Sequence, residues 1–86
     1  MLALPTLLTH DQAAAFARSL VLGIRAEPID KVVIDASALE KFDSSALAVL
    51  LQCRREAAVA GKSFSVTGLP HQCRELVNLY GISELL

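Results

Sequence analysis

Tryptophan is absent from this chain of 86 residues, and aromatic residues make up only 5% of it. A core of stacked rings is thereby excluded. With 53% hydrophobic residues, the interior has to be aliphatic. Charge of one sign is also lacking: Lys and Arg number 8 against 9 Asp and Glu, a formal charge of -1. That balance shows no basic excess of the kind a nucleic-acid binder needs, and it gives no support to a polybasic patch holding the protein on an anionic membrane surface. No apolar run approaches the roughly 18 residues of a membrane-spanning helix, so no direct membrane insertion is expected. The opening Met1-Leu2-Ala3-Leu4-Pro5-Thr6-Leu7-Leu8 has no basic n-region and no cleavage site. It does not read as a signal peptide, and a cytoplasmic protein is expected.

Cysteine is scarce too. Cys53 and Cys73 stand alone, and with His10 and His71 they complete no zinc-ligand spacing. Cys53 reads as a small core hydrophobe, and neither a metal nor another cofactor is expected. Glycine is scattered at 23, 61, 68 and 81, so there is no glycine-rich phosphate loop. What the chain does have is a surplus of aliphatic residues for its size, enough to leave apolar surface for a partner.

The pattern along the chain is β-α-β-α-β-α. Leu2 to Leu8 is strand-like, but Pro5 restricts it to an edge strand or part of one. Thr9 with Gln12 forms a capping box before a helix from about Asp11 to Gly23, expected to pack through Ala14, Phe16, Ala17, Leu20 and Val21. Asp30 to Ala36 is the best strand, and its run Val32-Val33-Ile34 suits a central position covered on both faces. A short loop leads to a second helix, Ser44 to Ala60, with Asp43 as N-cap and Gly61 as its stop. Lys62 to Thr67 alternates as a half-buried strand. Gly68-Leu69-Pro70 turns into a third helix, about His71 to Tyr80, with Pro70 in its first turn and Gly81 ending it. Ile82 to Leu86 reads as a short tail on the core. Strand-helix units in series call for one small, mostly parallel sheet with helices packed on it, an α/β single domain over residues 1–86.

Asp43-Ser44-Ser45 carries the most chemistry. The Asp43 carboxylate serves backbone donors in the first turn, and two hydroxyls sit where a helix presents unpaired N–H groups and the positive end of its dipole. Ser45 and Ser44 are thus candidate phosphate acceptors. A plain helix cap explains the same residues. At about 100° per residue, Ala46, Leu47, Leu50, Cys53 and Ala57 form the inward stripe of this helix. Ser44, Ala48, Leu51 and Arg55 form an outward one, flanked by Ser45, Gln52 and Val59, small to apolar in the middle and polar at its ends, as docking surfaces often are. No catalytic set accompanies them. Neither serine stands in a Gly-x-Ser-x-Gly elbow, paired acids are missing, and His10 and His71 read as solvated first-turn residues. An enzyme is not expected.

Val33-Ile34-Asp35-Ala36-Ser37-Ala38-Leu39 followed by Phe42-Asp43-Ser44-Ser45-Ala46-Leu47 resembles the STAS domain, the sulfate-transporter and anti-sigma-factor-antagonist family. The likeness continues through Gly61 to Pro70 and ends at Leu79-Tyr80-Gly81-Ile82, so it covers nearly the whole chain. STAS domains usually begin with a further strand, and the first strand here is expected to be short or truncated. The resemblance implies two different roles. In anti-sigma-factor antagonists, a partner-switching serine kinase (itself the anti-sigma factor) phosphorylates the second hydroxyl after the Asp, which maps to Ser45. The next residue there is typically Gly, where this chain has Ala46. In the small B subunits of Mla-type lipid-asymmetry ABC transporters, the first hydroxyl, mapping to Ser44, matters for docking on the ATPase. The Ser-Ala-Leu-Ala-Val-Leu-Leu helix is more like this second branch. That branch implies a non-catalytic subunit peripheral to the inner membrane, bound to the nucleotide-binding (MlaF-like) ATPase and through it to the permease. The contact would be carried by Asp43, Ser44, Ser45, Ala48, Leu51, Gln52 and Arg55.

Overall fold

The structure, a computed structural model, describes residues 2–81. In chain order the elements are β1 (Leu2–Ala3), β2 (Leu7–Leu8), α1 (His10–Ala26), β3 (Lys31–Asp35), β4 (Lys41–Phe42), α2 (Ser44–Val59), β5 (Ser63–Thr67) and α3 (His71–Leu79). One sheet has the order β1-β3-β5 and every pairing in it is parallel. The expected α/β architecture is therefore what forms.

The opening strand is divided. Leu4 N still donates to Asp35 O at 2.9 Å, after which Pro5 has no N–H to offer the ladder. Beyond it, β2 leaves β3 and pairs in parallel with β4, forming a second, two-stranded sheet. Residues 41 and 42, expected as loop, thus form a short strand. Thr6 O anchors this pairing by accepting from Glu40 N and Lys41 N, each at 2.9 Å.

Sheet order following chain order means that both crossovers advance the same way, and crossovers of one hand then put α1 and α2 on the same face. Ala17, Leu20 and Ile24 of α1 and Ala46, Leu47, Leu50 and Cys53 of α2 join Val32 and Ile34 in one core, closed by Cys73 and Val77 of α3. The opposite face is open: Lys31, Ser63, Ser65 and Thr67 are exposed and Val33 is only half-buried. This corrects the expectation of a strand covered on both faces. A run of three aliphatic residues permits either arrangement, and the second layer of helices is what is missing among the described residues.

Helix α1 runs three residues beyond the expected stop at Gly23, bringing Ile24 into the core at 0% exposure. Ala14, expected to pack, is exposed. At α2 the expected stop is found. Gly61 adopts φ 73°, its N–H donates to Ala58 O at 3.0 Å, and Lys62 N donates to Ala57 O at 2.8 Å. That is the hydrogen-bond pair of a Schellman ending. Gly68 has a steric reason to be glycine: a Cβ there would lie 2.9 Å from Ser37 Cβ, and its φ is +68°. Pro70 occupies the N-cap of α3, one position before the first turn. The expected tail from Ile82 to Leu86 lies outside the described residues.

Candidate functional site

Asp43 caps α2 as its sequence position implies, and it does more. Its Oδ1 accepts from Ser45 N at 2.8 Å, while Oδ2 accepts from His10 N, the first residue of α1, at 3.0 Å. One carboxylate thus satisfies an orphan donor on each of two helices. These two hydrogen bonds, that from His10 N first, hold the Asp43 pKa below its ordinary value of 3.8. Thr9 and Gln12 complete the start of α1: Thr9 N donates to Gln12 Oε1 at 3.1 Å, and the Thr9 hydroxyl does so at 2.6 Å. Capping Asp and Thr residues are legible in sequence. That one Asp would serve two helices is not, because it requires the helices to lie side by side and parallel.

The opposite ends of the same helices meet at Lys62. Its backbone N–H closes α2, as described, and its ammonium donates to Ile24 O at 2.9 Å and to Glu27 O at the end of α1. A cation on terminal carbonyls is the favourable complement of the helix dipole. Its long stem gives no periodic signal, and sequence reasoning missed this role.

Between these ends, α2 presents the residues singled out from its sequence. Ala46, Leu47, Leu50, Cys53 and Ala57 are all buried, as expected, and Val49 joins them where α1 packs alongside. Ser44, Ala48, Gln52 and Arg55 are exposed, and Asp43, Ser45 and Leu51 are half-buried. Val59, near the C-terminal end of the same helix, is 80% exposed. The outward residues therefore form one accessible face with both hydroxyls at its N-terminal end. Positions 45, 49, 52 and 56 lie on the stripe of α2 turned toward α1, and Arg25 of α1 reaches Glu56 at 3.2 Å.

Outside this face the chemistry is sparse. His10 is exposed in the first turn of α1, and His71 Nε2 lies 2.9 Å from Glu75 Oε1 on the surface of α3. Asp35 accepts from Ser37 N at 2.9 Å, and its contacts with Ser37 lower its pKa. Burial pushes the Cys53 thiol up to about 11 and raises that of Cys73, so both stay protonated and poorly nucleophilic at neutral pH. Among the described residues, no group of three or more His, Cys, Asp or Glu side chains is placed to hold a metal ion. Nor is any helix among them long and apolar enough to cross a membrane.

A parallel sheet with helices on one face, and an Asp-Ser-Ser helix start displayed at its rim, define a small α/β fold. The family model described as "Mlab, STAS domain" matches residues 1–86, the full sequence, and the chain belongs to the STAS-domain family. No curated protein matches it.

Proposed function

We propose that this chain is a non-catalytic STAS subunit of an Mla-type phospholipid ABC transporter. It docks on the nucleotide-binding ATPase through the outward face of α2 and is held at the inner membrane through the ATPase and permease. By supporting ATPase activity it contributes to outer-membrane lipid asymmetry. The observation that carries this reading is the state of the Asp43 carboxylate. Both of its oxygens are engaged by backbone N–H groups, one from each helix start. A phosphate on Ser45 would meet a carboxylate already holding those donors, and like-charge repulsion disfavours it there. Ser44, by contrast, is exposed at the edge of the Ala48, Gln52 and Arg55 surface, free to meet a partner. The matched family description, which names Mlab, points the same way.

The test is co-expression with an Mla-type ATPase. A stable complex is expected, and Ser44→Arg, which places a bulky charge in the face while leaving the Asp43 cap intact, is expected to abolish it. Failure of the unmodified chain to form a complex overturns the reading. Intact mass of the protein from cells adds a second arm: a stoichiometric phosphate on Ser45 would favour a kinase-regulated antagonist instead.

A further inference from the structure

The face of α2 does not end at α2. A groove of about 340 Å³ runs between α1 and α2, lined by Arg18, Val21, Leu22 and Arg25 on one side and by Gln52 and Glu56 on the other. Gln52 belongs both to this groove and to the docking face proposed above, so the two surfaces are continuous. Leu22 is 66% exposed at the groove, a large apolar side chain with no core role. Arg25 is neutralised by Glu56 at 3.2 Å, whereas Arg18, among the described residues, makes no ion pair. Charge is unevenly distributed as well. Helices α1 and α2 carry Arg18, Arg25, Arg54 and Arg55 against only Asp11 and Glu56, in a chain whose formal charge is -1. Half of the eight cations thus lie on these two helices, with only two of the nine acids.

We infer that the α1/α2 groove is a second part of the docking surface, taking an acidic segment of the ATPase that sets an apolar side chain against Leu22 and Val21 and a carboxylate against Arg18. This rests on the proposed ATPase partnership and extends it to α1. The chemistry is specific. An arginine offers a planar fork of donors that matches a carboxylate in two hydrogen bonds, and it is enriched where interfaces derive their affinity. The adjacent leucine supplies apolar area that, in the free protein, is wetted. Arg25, already held by Glu56, shapes the wall and contributes less.

The test compares three variants of the full chain for binding to the purified Mla-type ATPase. Arg18→Glu is expected to weaken binding about tenfold or more and to flatten its dependence on salt. Leu22→Ala is expected to weaken it several-fold with the salt dependence unchanged. Both positions are exposed, so thermal melting should match the unmodified chain and exclude unfolding as the cause. Ser44→Arg serves as the separate probe of the α2 contact. If Ser44→Arg abolishes binding while Arg18→Glu and Leu22→Ala stay within twofold of the unmodified chain, the groove inference is overturned and the α2 reading stands. If the groove variants weaken binding and Ser44→Arg does not, the reverse holds. If the unmodified chain binds no ATPase, both fall together.

Discussion

The two ends of the α1/α2 pair are held by opposite charges used in the same way. At the N-terminal end, Asp43 accepts one backbone N–H from each helix. At the C-terminal end, Lys62 serves both helices again, through its own backbone N–H to α2 and its ammonium to α1. Each charge lies where the dipoles want it, negative at the starts and positive at an end. The difference is in what each side chain gives up to be there. Asp43 is short, with little rotamer freedom to lose, whereas Lys62 must order a long stem worth up to ~2 kcal/mol of side-chain entropy. The N-terminal clamp should therefore be the stronger, and it lies beneath the proposed docking face.

The largest effect should come from breaking that clamp. Asp43→Ala leaves both helix starts short of an acceptor and is expected to lower Tm by on the order of 10 °C, read by circular dichroism. Asp43→Asn, which keeps an acceptor but no charge, should fall between. Acid sharpens the point. The folded pKa of Asp43 lies below its ordinary value of 3.8, so its contribution is fully present above that value and is lost as pH falls through the folded pKa. The stability difference between the unmodified chain and Asp43→Asn should be constant above about pH 5 and shrink below pH 4. A difference independent of pH down to pH 2 would contradict the assigned carboxylate bonds.

Breaking the other end should cost less. Lys62→Met keeps the stem and the Schellman ending but removes the ammonium, and a loss of about 1 kcal/mol is expected by urea denaturation. If Lys62→Met proved as damaging as Asp43→Ala, the entropic ranking of the two clamps would be wrong. The smallest effect belongs to the ion pair that joins the last turns of α1 and α2. The Arg25–Glu56 pair has the arginine side chain 63% exposed, and a double-mutant cycle should give a coupling no larger than ~0.5 kcal/mol, reduced further by salt.

The residues differ in how plainly they announced these roles. Thr9 with Gln12, Asp43 before Ser44, and Gly61 after α2 were readable because capping and stopping are local: the donor, the acceptor and the positive φ lie within a few residues of one another. The inward stripe of α2 was readable for the same reason, since helical periodicity places Leu47, Leu50 and Cys53 on one face whatever lies opposite. The two-residue strand β4, and the departure of β2 from the main sheet to pair with it, were not. So short a strand has no periodicity, and it exists only because Thr6 O finds the N–H groups of Glu40 and Lys41. Val49 and Ile24 escaped notice likewise, one because α1 covers it and the other because α1 continues past Gly23.

By itself, then, the sequence determined the kinds of element, most of their boundaries, the aliphatic character of the core and the hydroxyl-bearing start of α2. Propensity, period and caps act over one or two turns of chain and need no partner. Only the tertiary structure decided that, among the described residues, the sheet is covered on one face and open on the other. It alone decided that Asp43 and Lys62 each close two helices, and that the face of α2 continues across a groove onto α1. Those facts depend on which segments, thirty or more residues apart, come to lie side by side. Contacts of that kind are selected by packing and dipole alignment, and no local pattern encodes them.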